Sequence, residues 1–294
     1  MKPGVHHVPG CVDRLPPQSF FLVSAVFHYL GPSLAVLLFA RLDVLGVAWL
    51  RIVSAAVVLA LWRRPWRLIG RLSAGDRWSL AALGVVLAVM NSVFYLSVAR
   101  LPLSTVGAIE FLGTVLLAVA GVRTWRNAGA VTLTTAGVIA ITAIGLHGQP
   151  LGFVFAFANC ALFMLYIVLG HRIANAGAVG SAGLDRLGAA MLIAVVAATP
   201  WGLRGALPAF GHPVLLLAGA GVGVCSSVIP YVADQLAMAR LPRATFSLML
   251  ALLPVFATVI GAIVLRQLPT ARDVAGITLV VLGVAIHQEG NERT

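Results

Sequence analysis

Long apolar runs punctuated by short polar gaps recur along the chain from Ser19 to His287. A membrane-crossing helix needs about 20 mostly apolar residues, so the pattern predicts about ten spans. Their approximate bounds are 19–40, 44–62, 77–99, 101–122, 128–146, 151–170, 187–203, 213–238, 241–265 and 271–287. The seventh is the least regular, because Pro200 and Gly202 interrupt its end. The expected class is therefore an all-α membrane protein.

The first 18 residues, with Pro3, Pro9, Pro16 and Pro17, read as a short tail. Lys2 and Arg14 precede an apolar stretch, as in a signal peptide. That stretch matches a full membrane span rather than the shorter apolar core of a signal, and further spans follow it directly.

Composition agrees with this reading. The 294 residues are 60% hydrophobic and 10% charged, and the mean hydropathy is +1.00. Soluble domains carry roughly 25% charged residues. The net charge of +11 raises nucleic acid as a partner. However, the basic residues lie in short gaps between apolar runs and form no continuous face, so lipid is the expected environment and nucleic acid is not a partner.

The same basic residues orient the chain, because cytoplasmic loops retain positive charge. With the N-terminus inside, the inner segments hold Lys2, Arg14, Arg63, Arg64, Arg67, Arg71, Arg77, Arg123, Arg126, Arg172, Arg186, Arg240, Arg243 and Arg293. The outer loops hold only Arg41, Arg100, Arg204, Arg266 and Arg272. Both termini are expected in the cytoplasm, in a protein of the inner membrane.

An echo divides the chain. Ala99-Arg100-Leu101-Pro102 returns half a chain later as Ala239-Arg240-Leu241-Pro242, each at a short turn between spans. Carried forward, the offset aligns Thr105 with Thr245, Val115 with Val255, Val119 with Val259 and Gly121 with Gly261. An odd number of spans per half makes the second half enter the bilayer upside down. Inverted repeats of this kind, five helices each over 19–146 and 151–287, point to a secondary transporter. The segments 1–18 and 288–294 are then cytoplasmic tails.

Charges within spans single out candidate chemistry. A charge at the bilayer centre costs at least about 2.5–3.5 kcal/mol and so faces the protein interior or water. Arg51 and Glu110 sit near the middles of their spans, roughly 10–14 Å deep at 1.5 Å per residue. A direct ion pair between them is one possibility. Substrate recognition or proton coupling by Glu110 is the other. Asp234, close to Arg240, stands nearer an interface. Gly223, Ser227, Tyr231 and Asp234 follow helical spacing, and Pro230 breaks the local backbone pattern, as a hinge would.

Other faces are similarly mixed: Gly84, Ala88, Asn91 and Tyr95; Asn159, Phe163 and Tyr166; Ser24, His28, Gly31 and Ala35. Such groups line a cavity or hydrogen-bond between helices, and His28 is a further proton acceptor. Cys11, Cys160 and Cys225 form no paired motif. With no nucleophile elbow, phosphate-binding glycine loop or metal-ligand pair, catalysis has no support and neither cofactor nor metal is expected.

Several strings together resemble the EamA-type branch of the drug/metabolite transporter superfamily, and within it the threonine/homoserine exporter group. They are Leu50-Arg51, Pro65-Trp66-Arg67-Leu68, Met90-Asn91, Phe94-Tyr95-Leu96-Ser97, Glu110-Phe111, Pro230-Tyr231, Arg240-Leu241-Pro242, Thr245-Phe246 and Leu253-Pro254-Val255 through Gly261. The resemblance implies ten helices in two inverted repeats, a central cavity, and export of a small polar metabolite driven by the proton motive force, with amino acids as leading substrates. It carries cavity or coupling roles onto Arg51, Asn91, Tyr95, Glu110 and Tyr231, and an acidic position onto Asp234. Two departures stand out: Leu253 where the family often has an acidic residue, and Leu265-Arg266-Gln267 in place of the usual Leu-Gly-Glu ending. The second is expected to alter a helix end. Multidrug efflux is the alternative within the class, and a non-transporting receptor or assembly subunit the alternative outside it.

Overall fold

The computed structural model describes residues 16–69, 73–121, 124–145, 149–175, 182–238 and 252–286. All regular structure among them is helical. The long helices are α1 (Pro17–Leu38), α2 (Val44–Arg63), α4 (Ala74–Val98), α5 (Leu103–Gly121), α6 (Trp125–Gly145), α7 (Pro150–Asn175) and α8 (Ala182–Phe210). A short α3 (Trp66–Ile69) follows α2. Helix α9 (Pro213–Gly223) runs through a π turn (Val224–Val228) into α10 (Ile229–Met238), and α11 (Leu253–Leu265) and α12 (Ala271–Ile286) complete the fold. Six described segments are long and apolar enough to cross a membrane: Gln18–Leu38, Val44–Arg63, Ala74–Val98, Pro150–Leu169, Leu184–Phe210 and Pro213–Ala233. The expected span 241–265 falls largely outside the described residues before Leu252.

The local sequence explains the helix ends. The Asp43 carboxylate accepts from the N–H groups of Leu45 and Gly46, at 2.9 and 3.4 Å, and so caps α2. Ser73 caps α4 in the same way through the N–H of Asp76. The expected break at Pro200 does not occur: α8 continues to Phe210 with Pro200 and Pro208 inside it. Tertiary packing overrides the local preference here. The Trp49 indole donates to Thr199 Oγ1 at 3.0 Å. A methyl group at Gly202 would strike Trp49, and one at Gly205 would strike Asp43, so these glycines let α2 press against the proline-containing stretch.

The partners are ordered. Helix α2 packs most extensively against α8, and α6 against α12. Helix α4 lies against α7 and α8, while the unit formed by α9, the π turn and α10 lies against α1 and α2. Helix α5 meets α7, α11 meets α1, and α5 meets α11. Exchanging the helices before residue 146 with those after 149, in order, maps these neighbour pairs onto one another. The α6–α12 seam is built from small residues: a methyl at Gly137 would meet the Gly276 carbonyl, and one at Gly283 would meet Thr134.

The ending Leu265-Arg266-Gln267 does shape a helix end. Arg266 is the left-handed C-cap of α11, with φ 55°. This turns Gln267 so that its side-chain oxygen accepts from the Leu103 N–H at 3.1 Å, satisfying one of the open donors at the start of α5.

Candidate functional site

Arg51 and Glu110 lie in the protein interior, each only 7% exposed. Helix α2 carries Arg51 toward the π turn. There the guanidinium Nε donates to Ser227 Oγ at 3.1 Å, and a terminal nitrogen donates to the Ser226 carbonyl at 3.2 Å. Pro230, four residues beyond Ser226, has no N–H to offer that carbonyl, and the Ile229 N–H bonds instead to Val224 O in the wider π pattern. The guanidinium also stands over the Tyr95 ring, 5.3 Å from its centroid.

Glycines bring these elements together. A side chain at Gly31 would collide with Ser226, and one at Gly223 with Ser54 and the Arg51 carbonyl, so the π turn sits wedged between α1 and α2. On α5, a methyl at Gly107 would lie 3.2 Å from the Tyr29 hydroxyl, and one at Gly113 would lie 2.7 Å from Cys160 Sγ of α7. Glu110 lies between these two notches.

A direct Arg51–Glu110 ion pair, one of the two alternatives, is not formed. Arg63 does form an ion pair, with Asp185, at 2.7 Å and partly exposed. Glu110 lies within electrostatic reach of Arg51 and Tyr29 and beside the Asn159 amide, and its Oε2 has no hydrogen-bond partner. The Tyr29 and Tyr95 hydroxyls, Asn159 Nδ2 and Ser226 Oγ are likewise buried and unpartnered. Native interiors rarely leave such groups unsatisfied, so this concentration around two opposite charges marks the site.

The other sequence candidates divide. Tyr95 is fully buried beside Arg51. His28 is half-buried, packs edge-on against Tyr29 with ring centroids 5.2 Å apart, and faces the field of Arg51. Asn91 is buried, but its amide donates at 2.7 Å to Leu87 O of its own helix. Tyr166 stacks on Phe163 at 5.9 Å, about two turns along α7 from Asn159. Tyr231 packs half-buried against the core just beyond the π turn. The side chain of Asp234 lies outside the described residues, as does Cys11.

Tyr29 and Ser226 were not among the sequence candidates, and Asn159 appeared only as one member of a mixed face. Asn159 carries a legible signal, a polar amide inside an apolar span. Ser226 contributes its backbone carbonyl, which side-chain patterning does not reveal. The described residues contain no cluster of His, Cys, Asp or Glu that could hold a metal ion.

The chain is similar to known proteins over nearly its whole length. The EamA-like transporter family matches residues 150–287. The threonine/homoserine exporter RhtA of Escherichia coli K12 is 31% identical over 285 residues, 95% of this chain and 92% of that one. RhtA of Salmonella typhimurium LT2 is 30% identical over 280 residues, covering 93% and 92%. A protein of known crystal structure shares the fold, with a TM-score of 0.57 at 18% identity over 92% of this chain and 97% of that one. The two RhtA relatives are named exporters and not enzymes. Taken with its apolar helices and buried charges, the similarity shows that this multi-pass membrane protein belongs to the EamA-like transporter family.

Proposed function

We propose that the protein is an inner-membrane secondary transporter that exports small polar metabolites, foremost amino acids such as threonine and homoserine. The observation that carries this reading is the burial of Arg51 and Glu110 within one polar cluster without an ion pair between them. Two opposite charges held apart inside a membrane protein suit a zwitterion, whose carboxylate meets Arg51 and whose ammonium meets Glu110. The RhtA relatives are named for threonine and homoserine, which are of this kind.

In this reading Tyr95 supplies a neutral hydrogen bond beside Arg51. Glu110 also accepts the coupling proton, with His28 nearby, so that the proton motive force drives export. Asn91 and Tyr166 shape the walls, and Tyr231 and Asp234 belong to a gate beyond the π turn.

Alternating access comes from two inverted five-helix halves, 19–146 and 151–287, with both termini in the cytoplasm. The exchange pattern of helix neighbours supports the repeat, and the basic block around Arg63 and Arg64 supports the orientation.

The test is efflux from cells preloaded with labelled threonine or homoserine. Efflux is expected to rise with the intact protein and fall to the background of cells without it for Glu110→Gln at equal membrane expression. No rise for either amino acid would remove this reading.

A further inference from the structure

The unpartnered groups near Glu110 carry more than the two charges do. Tyr29 is fully buried and Asn159 is 1% exposed, yet the Tyr29 hydroxyl and Asn159 Nδ2 have no hydrogen-bond partner. They come from α1 and α7, on elements that both pack near Glu110 of α5. Gly107, one turn before Glu110, leaves the notch in which the Tyr29 hydroxyl rests; a methyl there would already press on it at 3.2 Å.

Asn159 Nδ2 carries two N–H donors, of which the neighbouring Glu110 carboxylate can take one and an ammonium group neither, so a further oxygen is needed. Resting on the amino-acid reading above, we propose that Tyr29 and Asn159 recognise the side-chain hydroxyl of the substrate and set the preference for hydroxylated over aliphatic amino acids. A hydroxyl a few bonds from the ammonium both accepts from Asn159 and exchanges a hydrogen bond with the Tyr29 phenol. An aliphatic analogue of the same shape leaves both buried groups unsatisfied, which is how a polar site rejects an isostere.

Threonine and valine differ by exchange of a hydroxyl for a methyl, so they form the matched probe pair. Purified protein in proteoliposomes is assayed for efflux of labelled threonine and labelled valine, as the intact chain, Tyr29→Phe and Asn159→Leu, with thermal unfolding in detergent measured alongside. Tyr29→Phe removes one oxygen that has no protein partner, so its unfolding temperature is expected to be unchanged or higher. Its threonine-over-valine ratio is expected to fall about tenfold. Asn159→Leu is expected to lower the ratio similarly.

If the intact protein exports neither amino acid, the amino-acid reading fails and this inference fails with it. If it exports threonine and the ratio is unchanged in folded Tyr29→Phe, the inference alone is overturned. A Tyr29→Phe protein that loses stability and keeps its ratio assigns the hydroxyl a structural role and also overturns it.

Discussion

The Arg51 guanidinium donates to the Ser226 carbonyl at 3.2 Å, four residues before a proline that cannot supply the usual helical N–H. With the second donation to Ser227, α2 thus holds the irregular turn between α9 and α10 through two atoms. Arg51 therefore has a positional duty in addition to any meeting with substrate, and the two are separable by experiment.

Ser227→Ala removes one of these bonds and leaves the charge in place. Hydrogen bonds between membrane helices contribute about 0.6 kcal/mol on average and up to about 1.7, so a loss of about 1 kcal/mol is expected in reversible unfolding from detergent. Arg51→Lys costs more, because one ammonium does not reproduce the guanidinium fork. Pro230→Ala returns an N–H within reach of the Ser226 carbonyl and should soften the effect of Arg51→Lys. A double-mutant cycle should read a coupling of at least about 0.5 kcal/mol; additive costs would show that the proline and the arginine act independently.

Gly223→Ala probes the wedge. The added methyl would meet Ser54 and the Arg51 carbonyl, and backbone does not yield as a flexible side chain does. Overpacking costs about 1–3 kcal/mol, so a lowered unfolding temperature and reduced folded yield are expected. Gly75→Ala, where nothing lies within 4 Å of the added carbon, is the control and should be neutral or slightly stabilising. Equal behaviour of the two variants would refute the close approach of the π turn to α2.

Arg266 and Gln267 supply an independent pair. Arg266 adopts φ 55°, a region glycine occupies without steric penalty, so Arg266→Gly is expected to stabilise the protein by up to about 1 kcal/mol. Gln267→Leu strips the acceptor from the Leu103 N–H and should cost about 1 kcal/mol, as loss of a helix cap does. Detergent unfolding of both variants checks the two signs, and a stabilised Gln267→Leu would contradict the cap.

Much of this was legible before any coordinates. The starts of α2, α7 and α9 fall within a residue of where the apolar runs begin, because membrane hydropathy acts on local composition. Arg51 and Glu110 stand out for the same reason: a charge inside an apolar run has few cheap explanations. The full reach of α8 did not show, since a proline signals a break whose outcome depends on what packs against it. Asn91 and Asn159 looked alike in sequence. Only their neighbours separate an amide satisfied by its own helix from one with an unpartnered donor.

The sequence by itself determined that this is a helical membrane protein, where several of its helices begin, and that Arg51 and Glu110 are buried, though not that Arg186 is equally buried. Those properties follow from the transfer of individual residues out of water. Tertiary structure alone decided that Arg51 grips a backbone carbonyl instead of pairing with Glu110, that Tyr29 and Asn159 gather near that carboxylate, and that Gln267 caps a helix more than a hundred residues away. Each depends on the mutual approach of distant helices, set by where small residues permit contact, and no local pattern encodes that distance.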